Sequence, residues 1–195
     1  MPSCDYLLAA AIGSDCAKPQ VGGIEADGCI MNRKDIDFAS LARDSQNPSI
    51  VTNLALKSNK TGYPIVQIGN NPFNGSNIAF AAGSFKNKFN KFVSFLVYDH
   101  SPACTHDIID PLANGEFVVI LKNKFAGTDD KAKYEIFGLE AGLRQTEGTH
   151  DPFSEDTDGA WQVTLQETGA PTSGVFLFKT DASTTEAAYE SLMGD

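Results

Sequence analysis

Apolar and polar residues alternate in short runs along most of this chain, and a period of two predicts strands rather than helices. The clearest run sets Trp161, Val163 and Leu165 on one face and Gln162, Thr164 and Gln166 on the other. That is the pattern of a sheet buried on one side and wetted on the other. It lies within a stretch from Tyr134 to Phe178 that reads as three strand-like runs around one polar loop, Glu147 to Gly159. Upstream, Ile24–Met31 and Asp35–Leu41 read as strands joined by a turn at 32–34. Ile50–Leu56 and Tyr63–Ile68 read as the arms of an extended hairpin, about 47–68, around a polar tip. In Phe89–Tyr98 both rows are apolar, Val93, Phe95 and Val97 against Phe92, Leu96 and Tyr98, which predicts burial on both faces. Phe117–Lys124, centred on Val118-Val119-Ile120-Leu121, has high β propensity.

Other segments break this pattern. Gly69–Asn77 is rich in Asn, Gly and Pro and predicts a loop. Thr105–Asn114 predicts a short helix limited by Pro111. Ser183 followed by Glu186 has the form of a capping box, which predicts a helix over about 184–193 with Ala187, Ala188, Leu192 and Met193 toward the sheet. Residues 1–23, broken by Gly13, Pro19, Gly22 and Gly23, read as an N-terminal arm, either frayed or docked on a neighbouring subunit. The expected fold is therefore mostly β: an antiparallel β-sandwich or barrel-like domain over 24–195, with one or two short helices and the 47–68 hairpin.

At 195 residues the chain is long enough for one real core. Its net charge of −10 disfavours coating nucleic acid, since phosphate binding works by lysine and arginine displacing counterions. Lys86, Lys88 and Lys91 interleave with Phe85, Phe89 and Phe92, a pattern of either a single-strand binding surface or an edge strand guarded by lysines. Cys4, Cys16, Cys29 and Cys104 form no C-x-x-C pair, so reduced thiols are expected. The run Tyr6–Ile12 is too short for a signal or membrane segment, which points to synthesis in the cytoplasm and to no membrane partner.

Chemistry is sparse. His100, Cys104 and His106 match no common zinc spacing. Asp151, Glu155, Asp156 and Asp158 form an acidic loop of the kind from which hard cations take oxygen ligands, but the full calcium-loop pattern is missing. Nucleophile-elbow, Walker and dinucleotide-binding motifs are absent from the sequence. The expectation is no enzyme and no cofactor. A calcium-dependent β-sandwich binding module using Trp161 and the acidic loop stands as the alternative from another class.

The run Tyr134-Glu-Ile-Phe-Gly-Leu-Glu-Ala-Gly-Leu143, the acidic linker, Asp158-Gly-Ala-Trp161, Val163-Thr-Leu165 and Ala170-Pro171 resembles the C-terminal half of virion structural proteins of tailed phages and prophages of Bacteroidetes, most of all their tail tube proteins. The resemblance covers about residues 89–180. It implies a two-sheet sandwich whose inner-sheet strands join across copies into rings, six-membered in that family, stacked around a DNA conduit. Head–tail connectors, tail terminators and injection-system tubes share the architecture. The resemblance further implies a place in the virion tail, assembly in a host cytoplasm, contacts with other tail proteins, and DNA that passes an acidic lumen without specific binding. Ile50, Val51, Leu54, Leu56, Tyr63, Ile65 and Trp161 are the expected self-assembly residues.

Overall fold

The computed structural model describes residues 7–13 and 15–194. Cys4 and Tyr6 lie outside the described residues. Eleven strands form two sheets: β1 (Ile24–Asn32), β2 (Ala42–Arg43), β3 (Ile50–Asn53), β4 (Tyr63–Val66), β5 (Asn77–Ala81), β6 (Lys88–Val97), β7 (Phe117–Asn123), β8 (Tyr134–Phe137), β9 (Arg144–His150), β10 (Trp161–Ala170) and β11 (Phe176–Leu177). Seven make one sheet in the order β2-β3-β11-β8-β7-β1-β4, and four make the other in the order β5-β6-β10-β9. Pairing is antiparallel except between β3 and β11. The protein is a mostly β, sandwich-like fold.

Strand β7 shows why the sheets stack. It is apolar at every position from Phe117 to Leu121, and all five side chains are buried. Phe117, Val119 and Leu121 join Val93, Phe95, Val163 and Leu165 of the smaller sheet in one core. Val118 and Ile120 point the other way, into a second core with Met31, Val51, Ile136 and Tyr189. A strand in the middle layer has no wet face, so it reads as a continuous apolar run. Each such side chain contributes roughly 1.5–3 kcal/mol on burial.

The second core is closed by the C-terminal helix α3 (Ala182–Ser191). Its cap is Asp181, not Ser183: the Asp181 carboxylate accepts from the Thr184 amide at 2.8 Å, and the Thr184 hydroxyl lies 3.1 Å from the Asp181 amide. The box is therefore shifted by two residues from the predicted one. Asp181 outranks Ser183 because its charge also meets the positive end of the helix dipole. The hydrogen bond from the Thr184 amide holds the Asp181 carboxyl below its usual range. A depressed folded-state pKa contributes stability that is present above the unfolded carboxyl's pKa of about 4 and is lost as pH falls through the lower folded value. Asp181→Asn keeps an acceptor but does not titrate. The stability difference between wild type and this variant is expected to shrink as pH falls below about 4, as read by chemical denaturation at a series of pH values.

Three further expectations are corrected. Asp35–Leu41 is not a strand. Arg33–Asp35 is a single 3₁₀ turn, closed by the Ile36 backbone N–H on the Arg33 carbonyl and braced by the Asn32 side-chain Nδ2 donating to the Asp35 carboxylate at 3.0 Å. The 47–68 hairpin does not exist either, because its two strands lie in different parts of the larger sheet. β3 pairs with β2 and β11, while β4 pairs with β1 at the opposite edge. The helical region begins earlier than expected, with Ser101 accepting from the Cys104 amide. It runs through α1 (Pro102–Cys104), a wide turn at Thr105–Ile109, and α2 (Asp110–Asn114). In the wide turn the Asp110 amide reaches back five residues to Thr105. Pro111 has no N–H to give the turn before it, and widening by one residue accommodates that.

Candidate assembly interface

The four-stranded sheet has one face on the core and one in the open. On β10, Val163 and Leu165 are buried, while Gln162 is exposed and Thr164 and Gln166 are partly so. Register carries the same division across the sheet. Thr164 lies opposite Ser94 and Glu147, Gln162 opposite Leu96 and Thr149, and Gln166 opposite Phe92 and Arg144. The Ser94 and Thr164 hydroxyls hydrogen-bond at 3.0 Å, which confirms that they share a face. Continued onto β5 and the start of β6, the open face adds Asn77, Ala79 and Asn90, with Lys88 at its end. The face mixes Gln, Thr and Asn with the half-buried apolar side chains of Phe92 and Leu96, and its charged residues at these positions are Lys88, Arg144 and Glu147.

Among the described residues no strand pairs with the outer edge of β5 or of β9, and α2 packs alongside β9. β5 is mostly exposed. β9 is polar at every position from Arg144 to His150 and mostly exposed on both sides. No hydrophobic alternation announces it, because it is held by backbone pairing to β10 rather than by burial. The polar loop therefore starts at Asp151, four residues later than expected.

A buried ion pair fixes where β9 begins. Lys91 on β6 and Glu167 on β10 are 3.7 Å apart, with 1% and 0% of their side chains exposed. Glu167 also accepts three backbone N–H groups of the turn that follows β8: Gly138 at 3.0 Å, Glu140 at 3.0 Å and Ala141 at 2.7 Å. That turn carries the chain from the larger sheet to the smaller one. It opens with Gly138 at φ +84°, where an added Cβ would lie 2.6 Å from the Phe117 carbonyl oxygen. The expectation of an edge strand guarded by lysines is thus corrected. β6 is an interior strand, and Lys91 is in the core because Glu167 neutralises it.

The predicted assembly residues divide sharply. Val51 and Leu54 are buried in one of the chain's own cores, with Leu56 packed against it, Ile65 is buried in the other, and Ile50 is buried as well. Tyr63 is exposed, on the edge strand β4 beside exposed Val66 and Ile68. β4 also carries Pro64, opposite Cys29. The Gln67 amide bonds the Ala26 carbonyl, and alternation from that point turns the Pro64 nitrogen away from β1, where proline sacrifices no ladder bond and blunts the edge.

Trp161 is half-buried at the end of β10, stacked on His150 with ring centroids 4.9 Å apart and an angle of 18°; His100 lies 4.6 Å from His150. One face of the Trp161 indole is therefore covered by His150. His106 is remote from this stack in its contacts, paired with Asp107 at 2.6 Å, and Cys104 is buried. Asp151, Glu155, Asp156 and Asp158 do not converge: among the described residues no three His, Cys, Asp or Glu side chains gather to hold a metal ion. Asp151 instead closes its own turn by accepting from the Phe153 amide at 3.0 Å.

Lys18 is pinned to the chain's own β7–β8 loop through the Thr128 carbonyl and the Asp130 carboxylate, at 2.9 and 2.6 Å. Residues 7–12 beyond it are exposed. Cys16, Cys29 and Cys104 are free thiols. No described helix is long and apolar enough to cross a membrane.

Comparison with known proteins finds no matching family model, no matching curated protein and no matching solved structure.

Proposed function

We propose that this chain is a self-assembling structural subunit that forms rings by continuing its four-stranded sheet from copy to copy, as a subunit of a phage tail tube. One observation carries the reading. A short sheet whose two edge strands pair with no described strand, and whose outer face carries few charges, is backed by a larger sheet that already has its own core. Unpaired strand edges are a liability that proteins cover or pair, and ring closure pairs β5 of one copy with β9 of the next. Six copies, the number implied by the resemblance to tail tube proteins, bring about 24 strands. At roughly 4.8 Å spacing and ~40° tilt these make a barrel about 48 Å across, wide enough to pass a nucleic-acid duplex. A face of Gln, Thr and Asn around Phe92 and Leu96, with few charges, neither grips phosphates by counterion release nor pushes them away. Smooth passage in this arrangement comes from neutrality, and the net acidity of the chain lies elsewhere on the subunit.

Negative-stain microscopy with light scattering across a range of concentrations tests the reading. Rings or tubes are expected, and in them the amides of β5 and β9 exchange more slowly with deuterium than in the dissociated subunit. A chain that stays monomeric at every concentration refutes it. So does an assembly in which those two edges exchange as fast as in the monomer.

A further inference from the structure

The two ends of the four-stranded sheet are opposites. β6 starts at Lys88 and ends at Val97, which pairs with Trp161 at the start of β10. The β5–β6 hairpin tip therefore lies at one end of the sheet, and the loop between β9 and β10 lies at the other. From Gly69 to Tyr98 the chain has no acidic residue, and the tip carries Lys86 and Lys88. Between Arg144 and Lys179 it has no lysine or arginine, and the far loop carries Asp151, Glu155, Asp156 and Asp158. Each end also holds an aromatic side chain in full view: Phe85 is 101% exposed at the tip and Phe153 is 90% exposed in the acidic loop. Phe80, 63% exposed, flanks the tip and meets Phe89 edge-on.

We infer that these ends dock head to tail, the basic aromatic hairpin tip of one copy seating on the acidic Asp151–Asp158 loop of another. The occupant is a second copy of this chain, because the two surfaces match in sign and each brings an apolar anchor ringed by charge. A contact between two different patches of the same molecule repeats without closing, so it stacks copies into a column. The inference rests on the self-assembly reading and adds its second direction. Sheet edges are consumed laterally, within a ring, and sheet ends are left to face the rings above and below.

The test uses the full chain with Lys86→Glu and Lys88→Glu together, with Glu155→Lys and Asp156→Lys together, and with all four changes. Microscopy is expected to show stacks for wild type, single rings for either double variant, and stacks again for the fourfold variant, in which the signs are exchanged but still opposed. Phe85→Ser is expected to shorten stacks at least tenfold without altering ring diameter, and its fully exposed ring gives no packing to the folded subunit. Wild-type stacks are expected to shorten as salt rises from about 0.05 to 0.5 M, where screening falls within contact range. Double variants that stack as long as wild type overturn the inference while leaving the ring reading intact. A wild-type chain that forms no rings overturns both.

Discussion

Replacing Glu167 by alanine is expected to destabilise the protein by about 3–5 kcal/mol, the range for breaking a buried ion pair by removing one member. The urea midpoint should fall with the slope of the transition unchanged. The reason is more than the loss of Lys91's counter-ion. Glu167 holds the Gly138, Glu140 and Ala141 amides of the crossover turn, and alanine leaves all three donors without that acceptor, the Gly138 N–H in a buried position. Lys91→Met is expected to cost less, because the carboxylate keeps its three N–H partners. The two changes together are expected to cost less than their sum, with the difference measuring the Lys91–Glu167 coupling in a double-mutant cycle. This case differs from ion pairs that an apolar pair can replace without loss, since methionine and leucine at these positions supply no acceptor for the turn. Glu167 also determines where β9 leaves the turn, so Glu167→Ala is expected to weaken ring formation even under conditions where the subunit stays folded.

That residue shows what the sequence can and cannot reveal. Strand existence was legible wherever one face or both were buried: β1, β6, β7 and β10 all stand within a residue or two of the runs that alternation predicted. Partners were not legible. Lys91 lies among phenylalanines in a run that reads like a guarded edge, and its neutralising partner is 76 residues further on. Nothing near Lys91 marks Glu167, because burial of a charge is decided across strands. β3 and β4 failed for the same reason. They are neighbours in the chain with a polar tip between them, which imitates a hairpin, yet β3 finds β11 more than a hundred residues away. A parallel pair of that span has no local signature. β9 was hidden differently. Arg144–His150 has no apolar period, so only its backbone bonds to β10 make it a strand, and it provides one of the two edges on which the assembly reading depends.

Tyr189→Ala is expected to cost about 3–5 kcal/mol, the range for truncating a large buried aromatic. Tyr189 is 1% exposed, stacks at 4.9 Å on Tyr134 of β8, and lies under the Lys122 ammonium 4.8 Å away. Tyr189→Phe keeps the ring in all these contacts and is expected to retain most of the stability. Comparing the two variants by thermal or chemical denaturation separates the ring from the hydroxyl. The prediction follows from the corrected cap. A helix opened at Ser183 would favour Ala187 and Ala188 as its core face, but Ala187 is exposed and Ala188 only partly covered. With the start at Asp181, the stripe is Thr185, Tyr189 and Leu192, spaced as one helical face and all buried. Thr185 donates its hydroxyl to the Asp181 carbonyl at 2.6 Å, which lets a polar side chain occupy the first core position of the stripe. The helix therefore depends on one aromatic side chain for most of its hold on the larger sheet. Losing it is expected to open the second core while leaving intact the packing between the sheets, where Val119, Leu121, Val163 and Leu165 meet.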